Sequence, residues 1–448
     1  MPIAKPRWRL VVALLMLGVC GHVYLLHAAL EGTAKKIAIV PFDLPSAAAD
    51  REWLSDGFPH VLALRLQHLS QLKVAVLSRS MLFGAEGLPN PRDHTEATRV
   101  LGRLRPEGYD AVIIGNFVQF EPMLRAELHV WGVATEHILG KAQEQAAERD
   151  PDGLGIKLAT FATAALQLSL SEQEGRRLAE RYTTSAEAFE RFARALSLAD
   201  TGDDHEDLPQ AVSLFKEAVK LDAKFSMALR QQGDLLFRRG YYAGAAEAYQ
   251  SLLGMSKRSA SVYRLLGNAY FAQHDATRAL DAYKHALQLD ARDSQLHLDL
   301  GLAYAALKDY ENATKTLLRA LEFKPDDPLD FANLGVVYLL QGNFAATTAS
   351  LRRAQLLHGS DPVLAYNLGL SLMLERSYDQ ARAQFERALQ LKPDFAAAAY
   401  QLALIYERFD ASQAIERWRK YLDLARGKSE EQGWLALAEE HLQHLQRP

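Results

Sequence analysis

The chain has a single cysteine, Cys20, among its 448 residues. One thiol builds neither a disulfide framework nor a cysteine-based metal centre. The sequence also lacks a phosphate-cradling G-x-x-x-x-G-K-[ST] loop, a G-x-G-x-x-G turn after a strand, a G-x-S-x-G elbow and an H-E-x-x-H pair, so no motif announces catalysis or a bound cofactor. We expect a protein that is not an enzyme and carries no cofactor. His441 and His444 stand one helical turn apart beside Glu439 and Glu440, yet no third ligand accompanies them and no metal is expected. Charge of one sign is scarce as well: 51 basic residues face 55 acidic ones, net −4, which leaves no cationic footprint for nucleic acid. The acidic run Asp203, Asp204, Glu206 and Asp207 reads as a solvated insertion.

Long hydrophobic runs are missing too, with one exception. Residues 10–30 are almost uncharged and follow Lys5, Arg7 and Arg9. About twenty apolar residues suffice for a helix to cross a hydrocarbon layer. The cations on the amino side favour an N-in orientation. The expectation is a transmembrane helix within residues 1–32 that contacts the bacterial inner membrane and leaves the carboxy-terminal body in the periplasm. The alternative is secretion to the periplasm after signal cleavage near Ala28 or Ala29, where Leu26 and His27 fit a peptidase poorly. Leu17-Gly18-Val19-Cys20 resembles a lipoprotein box but has valine before its cysteine.

Residues 33–172 alternate between two periods. Apolar strand patterns cover 36–42, 73–78, 110–120, 124–133 and 138–147, the last three in meander order; helical patterns cover 50–69, 95–104 and 153–170. Strands interleaved with covering helices predict an α/β domain with a mixed sheet. Ile37-Ala-Ile-Val-Pro-Phe42, Leu54-Ser-Asp-Gly57, Leu62-Ala-Leu-Arg-Leu66, Val74-Ala-Val-Leu-Ser-Arg79 and Tyr109-Asp-Ala-Val-Ile-Ile-Gly115 resemble the periplasmic domain shared by the amino-terminal part of TolB, the curli-secretion lipoprotein CsgG and FlgO-like flagellar proteins. Gly57 is expected to let its helix pack close to the sheet.

Beyond residue 180 the chain repeats itself. Gly233, Gly267, Gly301, Gly335 and Gly369 are each 34 residues apart, and Ala286, Ala320, Ala354 and Ala388 keep the same interval, as do Tyr270, Tyr304 and Tyr338. Small residues at fixed phases of such a period mark stacked helical hairpins, because a larger side chain would hold the paired helices apart. Leu266-Gly267-x-x-Tyr270, Leu300-Gly301-x-x-Tyr304 and Leu334-Gly335-x-x-Tyr338, with Ala279/Tyr283/Ala286, Ala313/Leu317/Ala320 and Ala381/Phe385/Ala388 in the second helices, resemble the tetratricopeptide family. The resemblance implies an all-α tetratricopeptide repeat solenoid of about seven repeats over residues 180–426, sealed by a capping helix within 427–448.

In that family the first helices of successive hairpins line a concave channel that holds a protein or peptide segment. Carried onto this sequence, the candidate contacts of the first intact hairpins are Arg230, Asp234, Phe237, Arg264, Asn268 and Phe271. Further along they are Leu298, Leu302, Ala332, Val336, Leu339, Val363, Tyr366, Leu370 and Met373, an apolar stretch expected to lie exposed. Only Arg264 and Asn268 meet the family's carboxylate-clamp pattern, with Asp299 placed to repel an anionic tail. The function expected is that of a membrane-anchored periplasmic scaffold gripping protein segments in this groove, within an envelope assembly. The alternative is a sensory or regulatory protein whose α/β domain binds a small ligand.

Overall fold

The computed structural model describes residues 34–44, 51–78, 94–200, 207–255, 259–428 and 431–446. The apolar segment 10–30, Arg79 and the acidic residues 203–206 lie outside the described residues; among those described, no helix is long and apolar enough to cross a membrane. The chain divides into two compact units, one spanning residues 28–262 and the other containing residues 263–448. The division falls inside the repeats.

The first unit opens with a five-stranded sheet ordered β2-β1-β3-β4-β5, where β1 is Lys35–Ile39, β2 Leu72–Val76, β3 Ala111–Gln119, β4 Met123–Gly132 and β5 Ile138–Ala147. β1 pairs in parallel with β2 and β3, and β3-β4-β5 form an antiparallel meander. Alternation gives the sheet two apolar faces. Ala38, Val40, Val112 and Ile114 meet Ala97, Val100, Leu101 and Leu104 of α2, His94–Leu104. On the other face lie α1, Trp53–Leu66, and α3, Pro151–Ala165. There Phe42 fills the space beside Gly115, whose β-carbon would come within 2.6 Å of the ring, and meets Phe58 and Phe117 at 5.9 and 5.8 Å.

A short helix not foreseen from the pattern, α4, Glu172–Leu178, starts on a Ser171/Glu174 capping box and leads to the first repeat helices α5, Ala186–Asp200, and α6, Asp207–Leu221. Helix α1 is covered by α5. A β-carbon on Gly57 would lie 2.8 Å from the Ala193 backbone, and Phe58 and Trp53 meet Phe189 at 6.0 and 6.1 Å. The expectation for Gly57 is corrected accordingly: it admits the first repeat helix rather than the sheet. Arg65, wholly buried on α1, pairs with Asp152 at the start of α3 and donates to the carbonyls of Leu178 and Glu180 at 3.2 and 2.8 Å. Asp152 accepts in turn from the backbone of Tyr182 and Thr183 at 2.7 and 3.3 Å. The ion pair thus fastens the strap between sheet and repeats. The unit ends with the hairpin α7, Ser226–Arg238, and α8, Tyr242–Met255.

The second unit consists of helical hairpins: α9 Ala260–Ala272 with α10 Ala276–Leu289, α11 Ser294–Ala306 with α12 Tyr310–Phe323, α13 Pro328–Leu340 with α14 Phe344–Leu357, α15 Pro362–Leu374 with α16 Tyr378–Leu391, and α17 Ala396–Tyr406 with α18 Ala411–Ala425. Most of these helices start on a side-chain cap, although α16 and α17, which follow Ser377 and Phe395, do not. Asp293, Asp327 and Asp361 cap first helices and Asp275, Asp309 and Asn343 cap second helices, each set at 34-residue spacing and each accepting backbone N–H groups that the helix leaves free. The turn inside each of the first four of these hairpins has one left-handed residue, at His274, Lys308, Gly342 and Arg376, again 34 apart, whereas the turn between α17 and α18 has none. The last helix, α19 Gln432–Leu445, lays Ala438, Trp434, Leu435 and Leu442 on Tyr400, Trp418 and Tyr421.

Candidate functional site

Each repeat glycine lies against one side chain of its partner helix. A β-carbon on Gly233 would sit 2.5 Å from Tyr249; on Gly301 and Gly335 it would come 2.8 Å from Leu317 and Leu351, and on Gly369 2.7 Å from Phe385. Gly267 is pressed in the same way by Tyr283. Even a methyl group meets resistance, a tighter limit than the spacing alone suggested. The residue after the glycine answers the partner: Asp234 accepts from the Tyr249 hydroxyl and Asn268 from the Tyr283 hydroxyl, both at 2.7 Å, whereas Leu302, Val336 and Leu370 follow glycines that face Leu317, Leu351 and Phe385. Two of the candidate polar contacts are therefore already engaged within their own hairpins.

In residues 28–262, Arg230, Asp234 and Phe237 are half-buried on α7. Arg230 lies 3.7 Å from Asp234, and the Phe237 ring meets Tyr242 at 5.3 Å. Burial raises Asp234 above the ordinary carboxylate value even though Tyr249 and Arg230 pull the other way.

In residues 263–448, Arg264, Asn268, Phe271, Ala332, Val363 and Met373 are half-buried. The expected open apolar channel is corrected. Leu298, Leu302, Val336, Leu339, Tyr366 and Leu370 are interior, none more than 9% exposed. Leu298 and Leu302 share a core with Leu329, Leu334 and Val337, while Leu339, Tyr366 and Leu370 share one with Leu364, Leu402 and Ile405. Neighbouring first helices close on one another, so these side chains form the floor of the stack instead of its surface. The spacing of the repeats carries no information about how tightly they wind, which is why the expectation of an exposed stretch failed.

Polar groups interrupt that floor. Asp299 accepts from Gln295 at 3.1 Å, keeps a buried Oδ2 without a partner, and is lifted by burial to about 6, with the charge of Arg264 opposing the shift. Asp330, buried behind Ser294 at 3.5 Å, is raised to about 7 by burial and by the charge of Asp327. Gln295 was not foreseen; its signal was only its place one turn before Asp299. At the far end His441, for which the sequence shows no partner, is held by Glu407 at 2.9 Å and stacks on Trp418, whose Nε1 donates to the same carboxylate at 2.8 Å. Among the described residues no cluster of histidine, cysteine, aspartate or glutamate is arranged to hold a metal.

Residues 196–260 and 264–328 match one tetratricopeptide repeat family model, and residues 362–395 match another. No curated protein matches the sequence. Among solved structures, Pseudomonas aeruginosa pilF is 24% identical over 47% of this chain and 97% of its own, with a TM-score of 0.41. A tetratricopeptide repeat protein from Parabacteroides merdae is 16% identical over 58% of this chain and 99% of its own, TM-score 0.46. YrrB, described as having an unusual peptide-binding site, is 24% identical over 44% of this chain and 99% of its own, TM-score 0.36.

Proposed function

We propose that this chain, which carries tetratricopeptide repeats behind a mixed-sheet module, is a non-enzymatic scaffold that captures a protein segment on the first-helix faces of its repeats. Residues 10–30 would tether it to the bacterial inner membrane, with the body in the periplasm and residues 33–172 acting as a TolB/CsgG/FlgO-like module within an envelope assembly. What supports the tether is the uncharged run behind Lys5, Arg7 and Arg9. What supports capture is one observation: over a closed apolar floor, the first helices of residues 263–448 leave Arg264, Phe271, Val363 and Met373 half-exposed. A partner offering an amphipathic helix or an extended apolar segment would rest its apolar side on Phe271, Val363 and Met373, each contact contributing on the order of 1 kcal/mol. Arg264 would meet an acidic group on it. Gathering partners this way raises their local concentration without covalent change.

A photoreactive residue placed at Met373 in living cells, followed by mass spectrometry, is the test. Discrete protein adducts are expected, and Phe271→Asp, with unchanged helicity, should reduce them severalfold. An adduct pattern that is absent, or that ignores Phe271→Asp, refutes capture at this face.

A further inference from the structure

Few contacts hold the last helix in place. α19 has 14 residues, a length at which an isolated helix is marginal in water, so its order depends on what it touches. Of its side chains only Ala438 is buried; Trp434, Leu435, Leu437, Leu442 and Leu445 are half-buried. Side-chain hydrogen bonds secure its two ends. Just ahead of the helix Glu431 accepts from the Tyr421 hydroxyl at 2.8 Å. Towards its other end His441 donates from Nδ1 to both oxygens of Glu407, at 2.9 and 3.1 Å, on the turn between α17 and α18. The imidazole lies on the Trp418 ring of α18, centroids 5.0 Å and planes 20° apart, and Trp418 Nε1 donates to the same Glu407 oxygen at 2.8 Å. One carboxylate thus joins the last helix, the turn and α18. Trp418 also meets Tyr400 at 5.0 Å, and Tyr400 meets Trp434 of α19 at 5.3 Å, so the polar and apolar contacts of the cap converge on these rings.

Histidine is the side chain whose charge ordinarily changes between about pH 5 and 8. The hydrogen bond to Glu407 lifts His441 above its ordinary value against the opposing effect of burial, and the charges of Glu407 and Glu440 add to the rise. The cations next to its partners in sequence are turned elsewhere. Arg417 lies over the Tyr406 ring at 5.2 Å and Arg408 over Tyr378 at 4.7 Å, while Lys428, ahead of α19, donates to the Asp394 carbonyl at 2.9 Å. Glu439 and His444 of α19 are exposed. A protonated imidazole makes a charge-assisted bond, about twice as strong as a neutral one. The docked helix therefore binds this proton more tightly than the undocked one. The stabilisation it brings is fully present below about pH 6.5 and is lost as pH rises through the raised value.

We propose that His441 and Glu407 form a pH-operated latch, which clasps α19 to the end of the repeats in acid and lets it open in mild base, baring Tyr400, Trp418 and Tyr421. The latch acts on the end of the stack and not on the first-helix faces, so it operates whether or not a protein segment is captured there.

Amide hydrogen exchange of the full-length protein is the test. Protection factors of residues 432–445, corrected for the intrinsic effect of pH on exchange, should fall severalfold between about pH 5.5 and about pH 8.5. His441→Gln keeps a donor for Glu407 and leaves the Trp418 bond in place, but carries no titratable charge, and should lose that fall. Glu407→Gln should lose it too and should lower the His441 titration midpoint, read by NMR on histidine-labelled protein. Protection that does not change with pH in the parent, a fall of the same size in His441→Gln, or a His441 midpoint that ignores Glu407→Gln overturns the latch.

Discussion

Tyr283 occupies the volume that a β-carbon on Gly267 would need, and its hydroxyl is tied to Asn268, so the ring cannot swing aside without losing that bond. Gly254, also helical, has nothing within 4 Å of its would-be β-carbon. Alanine at Gly254 should stabilise the protein by up to about 1 kcal/mol through helix propensity. Alanine at Gly267 receives the same gain but overpacks a buried ring, for a net loss on the order of 1–2 kcal/mol. Urea unfolding of the two variants separates these outcomes, and equal behaviour would remove the steric account of the ladder. Asp330 adds a pH dependence. Its carboxyl is raised to about 7 in the folded protein, against about 3.9 unfolded, so the folded state holds the proton more tightly. The resulting stabilisation is fully present below about pH 4 and is lost as pH rises through about 7, a swing of up to about 4 kcal/mol. Asp330→Asn should flatten that part of the stability profile and be more stable than the parent at pH 8; a parallel profile would show that Asp330 does not titrate in this range.

At the scale of elements, one left-handed residue turns the first helix into the second in the four hairpins from α9 to α16. Gly342 adopts this conformation without a β-carbon, but Lys308 holds φ at 63° with one. Left-handed backbone costs a residue with a side chain roughly 1–2 kcal/mol, and glycine returns part of that as entropy lost on folding. Lys308→Gly should therefore raise stability by about 0.5–1 kcal/mol and Gly342→Ala should lower it, both read from thermal midpoints. The hairpins were legible in the sequence because glycine, alanine and tyrosine keep one interval. The strands were legible because 37–40 and 111–117 alternate apolar residues between two covered faces. The strap was not: Arg65 and Asp152 are 87 residues apart, and nothing local marks either as half of a buried pair. Nor was the burial of Leu302 or Leu370, which depends on how closely successive first helices approach.

For the molecule as a whole, composition changes from sheet to helix near residue 172, whereas the compact unit runs on to residue 262. The reason lies on α1. One side of it serves the sheet through Phe58 and Phe42, and the other receives α5 through Gly57, Trp53 and Phe58, with Arg65 reaching Leu178 and Glu180 on the strap. A fragment ending at 172 would expose that second side, leave Arg65 without two of its acceptors and Asp152 without the backbone donors of Tyr182 and Thr183. Removing partners from a buried charge pair costs several kcal/mol, comparable with the whole stability of a domain. Residues 28–262 should consequently unfold in urea as one cooperative transition, while residues 28–172 should bind a hydrophobic dye and aggregate. A soluble 28–172 fragment with a sharp transition and no dye binding would mean that the sheet module is self-sufficient, and that the first repeat helices merely rest against it.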